Sequence, residues 1–224
     1  MFLKQFQAVI FDMDGLLLNT EQISLDTFLE TCRIFDLEPE PEIYLRCVGT
    51  NDNKTREIIL DAFGSNFPYD AMRKIWVEKY ENQVQTHPNL VKSGAKDFLK
   101  FIADSSLKTA LATSTNYQMA VTKLKKTELF PFFLAIVGGD QVKHSKPSPE
   151  IYLKAAQLIE VDPKDCLVLE DSDIGVSAAH HAGMFVIQIP DLKAPSPETR
   201  ALGHQVFPSF KELRTFLKNE TGTH

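Results

Sequence analysis

The chain has 224 residues, 43% hydrophobic and 24% charged, with 24 basic and 30 acidic side chains and a net charge of −6. This is ordinary soluble globular composition and excludes a wholly disordered chain; at about 150 residues per domain the length fits one large domain or a domain with an insert. The acidic balance gives no support to nonspecific nucleic-acid or membrane binding, and a chain this long is expected to bury about 70% of its unfolded surface.

The opening segment, MFLKQFQAVIFDMDG, carries one early lysine, and its short apolar stretch runs into Asp12 and Asp14. It reads as a first strand, 8–11, buried on both faces, and not as a signal peptide. From 17 to 88 no strand-like run of comparable quality occurs. Segments 21–35, 54–63 and 71–84 read as amphipathic helices, punctuated by Pro39 and Pro41 and then by 64–68. An inserted all-helical cap domain is therefore expected at 17–88, joined near 16–19 and 87–93 and able to act as a lid. The remaining core domain is expected to comprise 1–16 and 89–224.

Beyond the insert, short apolar runs alternate with helical segments. Runs 109–112, 134–137, 166–169 and 184–187 precede Thr113-Ser114-Thr115-Asn116, Gly138-Gly139-Asp140, Glu170-Asp171-Ser172 and Pro190-Asp191. Helices are predicted over 95–103, over 151–159 with Pro149 near the first turn, and over 174–182, stopped by Gly183. A last helix is predicted over 210–217, followed by a disordered 221–224. Strands alternating with helices of about ten residues predict an α/β fold, a Rossmann-like parallel sheet with helices on both faces. No apolar stretch approaches the ~18 residues needed to span a bilayer. Cys32, Cys47 and Cys166 show no paired spacing and read as reduced, buried thiols of a cytoplasmic protein.

Polar residues just past strand ends form the site in such sheets. Asp12 and Asp14 point to opposite faces if extended, but a turn at Gly15 can bend both around one point. Glu170 and Asp171 end another strand, and Lys146 lies in a loop before Pro147 and Pro149. Acids from two strand ends repel one another unless a cation or a raised pKa relieves them. A hard oxygen donor set without a His/Cys cluster favours Mg2+ over zinc. The hydroxyls of Thr113 and Ser114, with nearby backbone N–H groups, suit a phosphate. Each residue alone has a plainer reading: loop acids, a strand-end hydroxyl bonded to backbone, a solvated lysine, an acid pair at a helix N-terminus. The joint pattern outweighs these because the strand ends must converge on one side of the sheet. Asp140 reads as a turn residue, and His180 and His181 lie away from the motifs.

Phe11-Asp12-Met13-Asp14-Gly15, Thr113 after an apolar strand, Lys146-Pro147 and Glu170-Asp171 resemble the four motifs of the haloacid dehalogenase (HAD) superfamily. The continuations Gly15-Leu16-Leu17-Leu18-Asn19-Thr20-Glu21, Lys146 to Tyr152 and Glu170 to Met184 resemble its beta-phosphoglucomutase and phosphoglycolate phosphatase branch. The resemblance covers nearly the whole chain in order. It implies a HAD-like core with a helical cap, and a Mg2+-dependent phosphatase acting through a phosphoaspartate. It makes Asp12 the nucleophile and Asp14 the general acid and then base. It gives Thr113 and Lys146 to the transferring phosphoryl group, pairs Lys146 with the nucleophile as well, and sets Asn116 at the rim. Asp171 becomes a direct Mg2+ ligand beside Asp12 and the backbone carbonyl of Asp14, and Glu170 holds the metal through water. Burial and nearby negative charge are expected to favour a protonated Asp14.

The branch also contains a mutase, which carries a cap histidine where this chain has Ser24. The mutase also has a cap arginine just beyond a Gly-containing loop, where this chain has Asp52 after Val48-Gly49-Thr50-Asn51. Both departures favour hydrolysis over mutase activity, since a mutase must exclude water while its intermediate reorients. Arg46, Lys54 and Lys79 are candidates for a second anionic group. A phosphonate-cleaving relative uses a cap lysine, for which Lys54 offers no special context. A binding protein without turnover is the reading from another class, but no motif residue is missing. The expected partner is a small phosphorylated metabolite, such as a sugar phosphate, with no nucleic acid, membrane or obligate protein partner.

Overall fold

The computed structural model describes all residues except Met1, Pro39, Asn51, Pro88 and 222–224, and the side chains of all of these but Glu220 and Thr221. Strand β1 (Ala8–Phe11) is buried at every position, as its unbroken apolar run requires. Four helices follow: α1 (Thr20–Ile34), α2 (Pro41–Cys47), α3 (Asp52–Phe63) and α4 (Tyr69–Thr86). The chain then alternates: α5 (Ala95–Ala103), β2 (Lys108–Ala112), α6 (Tyr117–Lys126), β3 (Ala135–Val137), α7 (Glu150–Leu158) and β4 (Cys166–Glu170). It ends with α8 (Asp173–His181), β5 (Phe185–Gln188), α9 (Pro197–Arg200), β6 (Gln205–Val206) and α10 (Phe210–Thr221). Two compact units result, one of Met1–Leu18 with Val91–His224 and one of Asn19–Leu90.

The first unit is an α/β core built on a parallel sheet in the order β3-β2-β1-β4-β5-β6. Alternation along the strands sends Ala8, Ile10, Ala110, Ala112, Cys166 and Val168 to one face, where they pack with Tyr152, Ala155 and Ala156 of α7 and with Val176 and Ala179 of α8. On the other side of β1, the Phe11 ring meets Phe98 of α5 at 6.3 Å, and Phe98 meets Phe210 of α10 at 5.1 Å. Helices thus cover both faces. The chain runs from β1 through β2 to β3 on one side and then crosses back to place β4 on the other side of β1, so the crevice lies at the C-terminal ends of β1 and β4.

The second unit is all helical. Phe28, Tyr44 and Trp76 form a triangle of rings 5.2 to 5.9 Å apart, joining α1, α2 and α4. The polar ends of these rings are satisfied locally: Trp76 Nε1 donates to the Ser24 carbonyl at 3.0 Å and Tyr44 Oη to Glu21 Oε2 at 2.7 Å.

Four elements lie outside the expected set, each for a physical reason. Helix α2 opens at Pro41, which sits in its first turn and costs no hydrogen bond there, so a residue read as punctuation begins a helix. In α6 a lysine, Lys123, occupies the buried stripe with Ala120, Val121 and Leu124 and breaks its apolar periodicity. Helix α9 and strand β6 have four and two residues, too short for a periodic signal. The final helix runs to Thr221, past the expected end at 217, and 222–224 lie outside the described residues. Among the described residues no helix is long and apolar enough to cross a membrane. Cys32, Cys47 and Cys166 are unpaired and buried.

Candidate active site

Register assembles the site. Phe11 is level with Leu111 on β2 and Leu169 on β4, so Asp12, Ala112 and Glu170 come side by side one residue later. The ladder continues past the strands: Asp12 N–H donates to the Leu169 carbonyl and Thr113 N–H to the Val137 carbonyl, each at 3.0 Å. Gly15 then turns the chain in the left-handed region at φ 83°, where a side chain would be strained. Lys92 Nζ holds that turn by donating to the Gly15 carbonyl and to Asp191 Oδ1.

Lys146 is the hub. Its ammonium donates to Asp12 Oδ1 at 2.6 Å, Glu170 Oε1 at 2.6 Å and the Ala112 carbonyl at 3.3 Å. Burial pulls this ammonium down, but Asp12 and Glu170 outweigh it and hold Lys146 charged, well above the usual lysine range. Tyr152 Oη also donates to Glu170 Oε1 at 2.7 Å. Glu170 Oε2 takes the N–H groups of Asp171 and Ser172 and the Ser172 hydroxyl, each at 3.0 Å. Burial raises the Glu170 pKa, yet Lys146, Tyr152 and the Ser172 N–H together bring it below the ordinary value. Five donors on one carboxylate exceed its roughly four lone-pair sites.

Asp12, Glu170 and Asp171 are all buried, and each offers a carboxylate oxygen within 4.8 Å of the others, a cluster able to hold a metal ion. Oxygen donors alone suit a hard divalent cation. Within this cluster one ammonium, Lys146, pairs with two buried carboxylates, Asp12 and Glu170. Burial, helped by Glu170 and Asp14 and opposed by Lys146, pushes the Asp12 carboxyl up to about 8. The shift comes chiefly from the loss of water around the carboxylate, so a cation bound beside it would favour the charged form.

Asp14 faces a different set of groups. Its Oδ1 accepts from Lys123 Nζ at 2.7 Å, and its Oδ2 accepts from the Thr115 hydroxyl at 2.6 Å and the Thr113 hydroxyl at 3.2 Å. The expected burial and acidic neighbour are present, since Asp14 is largely buried and interacts with Asp12, and the Lys123 ammonium adds a positive neighbour that was not expected. Ser114 is exposed, and its carbonyl packs so close to Gly139 that a Cβ there would lie 2.3 Å away. Asn116 caps α6: its Oδ1 accepts from the N–H groups of Gln118 and Met119. Asp140 caps the same helix through Tyr117 N–H at 2.7 Å, in keeping with its reading as a structural residue. His181 Nδ1 lies 3.3 Å from the Pro147 carbonyl.

The structure thus brings Asp12, Asp14, Thr113, Lys146, Glu170 and Asp171 to one end of the sheet. Ser114 and Asn116 stay on the loop leading into α6. Sequence reasoning missed Tyr152, Thr115, Lys123 and Gly175. Lys123 had a signal, a charged residue in an apolar helical stripe. Gly175 had none outside the family pattern.

A parallel sheet with a buried acid cluster at the ends of its central strands, and a helical unit inserted after the first strand, defines an α/β enzyme with a helical insertion. Residues 9–189 match the haloacid dehalogenase-like hydrolase family. A phosphorylated carbohydrates phosphatase of Thermotoga maritima is 32% identical over 180 residues, covering 80% of this chain and 82% of that protein. The beta-phosphoglucomutase of Bacillus subtilis is 26% identical over 189 residues, covering 82% and 83%. The crystal structure of CbbY from Rhodobacter sphaeroides in complex with phosphate superposes with a TM-score of 0.75 at 26% identity, covering 93% and 96%. The chain belongs to the haloacid dehalogenase-like hydrolase family, in the capped branch that holds these relatives, and is a hydrolase.

Proposed function

We propose that this hydrolase is a Mg2+-dependent phosphatase that cleaves a small phosphomonoester, a sugar phosphate or related metabolite, through a phosphoaspartate at Asp12. The observation that carries the reading is the buried Asp12–Lys146–Glu170 cluster, in which carboxylates outnumber the paired cation. A bound Mg2+ supplies positive charge between two anions, the aspartate and the phosphate ester, that otherwise repel. Asp12 and Asp171, with the Asp14 backbone carbonyl, are its proposed ligands. Glu170, its oxygens already engaged, contributes charge and fixes the 170–172 loop.

In the proposed mechanism an Asp12 carboxylate oxygen attacks phosphorus and the ester P–O bond breaks. Asp14 gives its proton to the leaving oxygen. Water then attacks the phosphoaspartate, Asp14 takes the water's proton, and the P–O bond to Asp12 breaks to release inorganic phosphate. Lys146 and Thr113 bind the transferring oxygens, and Lys146 keeps its charge throughout. Ser114 and Asn116 are left as rim contributors, with Asn116 tied to its cap. The helical unit is proposed as the lid that selects the leaving group.

Hydrolysis is favoured over mutase activity. Ser24 stands where the mutase histidine is expected, and Asp52 pairs with Arg73 at 2.8 Å. Arg46, Lys54 and Lys79 pair with Asp61, Glu57 and Glu30 within their own unit, which weakens them as receptors for a second anion. The sugar-phosphate class follows the carbohydrate phosphatase among the relatives.

The test is phosphate release from phosphomonoesters with Mg2+, with EDTA, and by Asp12→Asn. Turnover that needs both the metal and Asp12 is the expected result. Isomerisation without phosphate release would mark a mutase, and no turnover would mark a binding protein. A panel of about a hundred phosphorylated metabolites, ranked by kcat/KM, names the substrate.

A further inference from the structure

The core holds a second buried lysine outside every expected site. Lys123 lies on α6 with its side chain only 7% exposed, between the buried Ala120 and Leu124. A buried ammonium is costly unless paired, and this one reaches Asp14 Oδ1 at 2.7 Å. The Thr115 hydroxyl occupies the opposite oxygen at 2.6 Å. Donors thus reach both oxygens, one from a helix and one from the loop before it. Lys146 serves the other aspartate, so the two lysines divide the Asp12-x-Asp14 motif between them.

We propose that Lys123, together with Thr115, is a positioning residue that fixes the Asp14 carboxyl for proton transfer at the leaving oxygen. The inference rests on the proposed role of Asp14 as the acid and base of phosphomonoester cleavage. Proton transfer needs hydrogen-bond reach in the transition state, and a carboxyl held by fixed donors samples fewer positions than one without them. Lys123 holds Oδ1, which leaves Oδ2, beside the Thr115 hydroxyl that can accept as well as donate, as the oxygen to carry the proton.

Leaving-group dependence tests this. Departure of an alkoxide requires a proton; departure of p-nitrophenolate does not. Lys123→Met is expected to lower kcat/KM for an alkyl phosphate by about 100-fold and for p-nitrophenyl phosphate by less than about 5-fold, within the range of acid–base catalysis. Thr115→Val, which leaves the buried helix face intact, is expected to show a smaller loss with the same selectivity. It carries the test if Lys123→Met does not fold. Lys123→Arg should recover part of the loss on the alkyl ester, and Lys123→Met should add nothing to Asp14→Asn. Equal losses on both substrates, or full additivity with Asp14→Asn, overturn the role of Lys123. Absence of Asp12-dependent turnover in the wild type overturns the phosphatase reading as well.

Discussion

Glu170 occupies the space of a missing side chain on Gly175: a β-carbon built on that glycine would stand 1.7 Å from Glu170 Oε1. The glycine is there for contact and not for backbone freedom, since it lies inside α8. Only a bare helical turn lets Glu170 sit under the Asp171-Ser172 loop and receive Lys146 and Tyr152.

Gly175→Ala should therefore displace Glu170 and not merely crowd it. The expected cost is about 1–3 kcal/mol of overpacking, with most Mg2+-dependent turnover lost. Urea unfolding and a Mg2+ titration of activity check it; wild-type stability and metal response would refute the contact.

Lys146→Met strands two buried acids, Asp12 and Glu170, without their shared cation. Removing one partner of such a cluster costs about 3–5 kcal/mol, and turnover should vanish. Asp12 can take up a proton to relieve the strain, so the loss in urea midpoint should be smaller near pH 5 than near pH 8.

Metal and proton should compete at Asp12. Its pKa rises from 3.8 to about 8 on folding, chiefly through burial. The folded, metal-free protein then holds a proton between these values that the unfolded chain has lost, so this contribution to stability is complete below the lower value and disappears as pH rises through the upper one. In EDTA the melting temperature should fall from about pH 5 to about pH 8, and Asp12→Asn should flatten that fall. Mg2+ at about 100 times its Kd should restore about 2.7 kcal/mol, more fully at the higher pH. Parallel pH profiles for wild type and Asp12→Asn would contradict the assignment.

Asn116→Ala separates a cap from a ligand. Loss of an N-cap costs about 1 kcal/mol, and kcat/KM should stay within about 3-fold of wild type if the side chain only caps α6. A KM raised 10-fold or more, with unchanged stability, would return Asn116 to the phosphate rim.

Much of this molecule was readable before folding. Apolar runs ending in acids at 12, 170 and 171 announced parallel strands, because a strand covered on both faces has no polar positions to spare. The lysine before Pro147 and the hydroxyl after Ala112 completed a motif set whose order along the chain carries its own specificity. Elements too short for a period, such as β6, gave no such signal.

The sequence by itself determined the type of sheet, the helical insert and the set of acids that gather at the strand ends, since periodicity and motif order are local properties of a chain. That Lys123 serves Asp14, and that Lys146 also reaches Glu170, was decided only by tertiary structure. Lys146 is marked by its motif, whereas Lys123 is indistinguishable from a surface lysine until α6 turns one face inward. Distances of 2.6 and 2.7 Å between residues more than 100 positions apart depend on packing that no local pattern encodes.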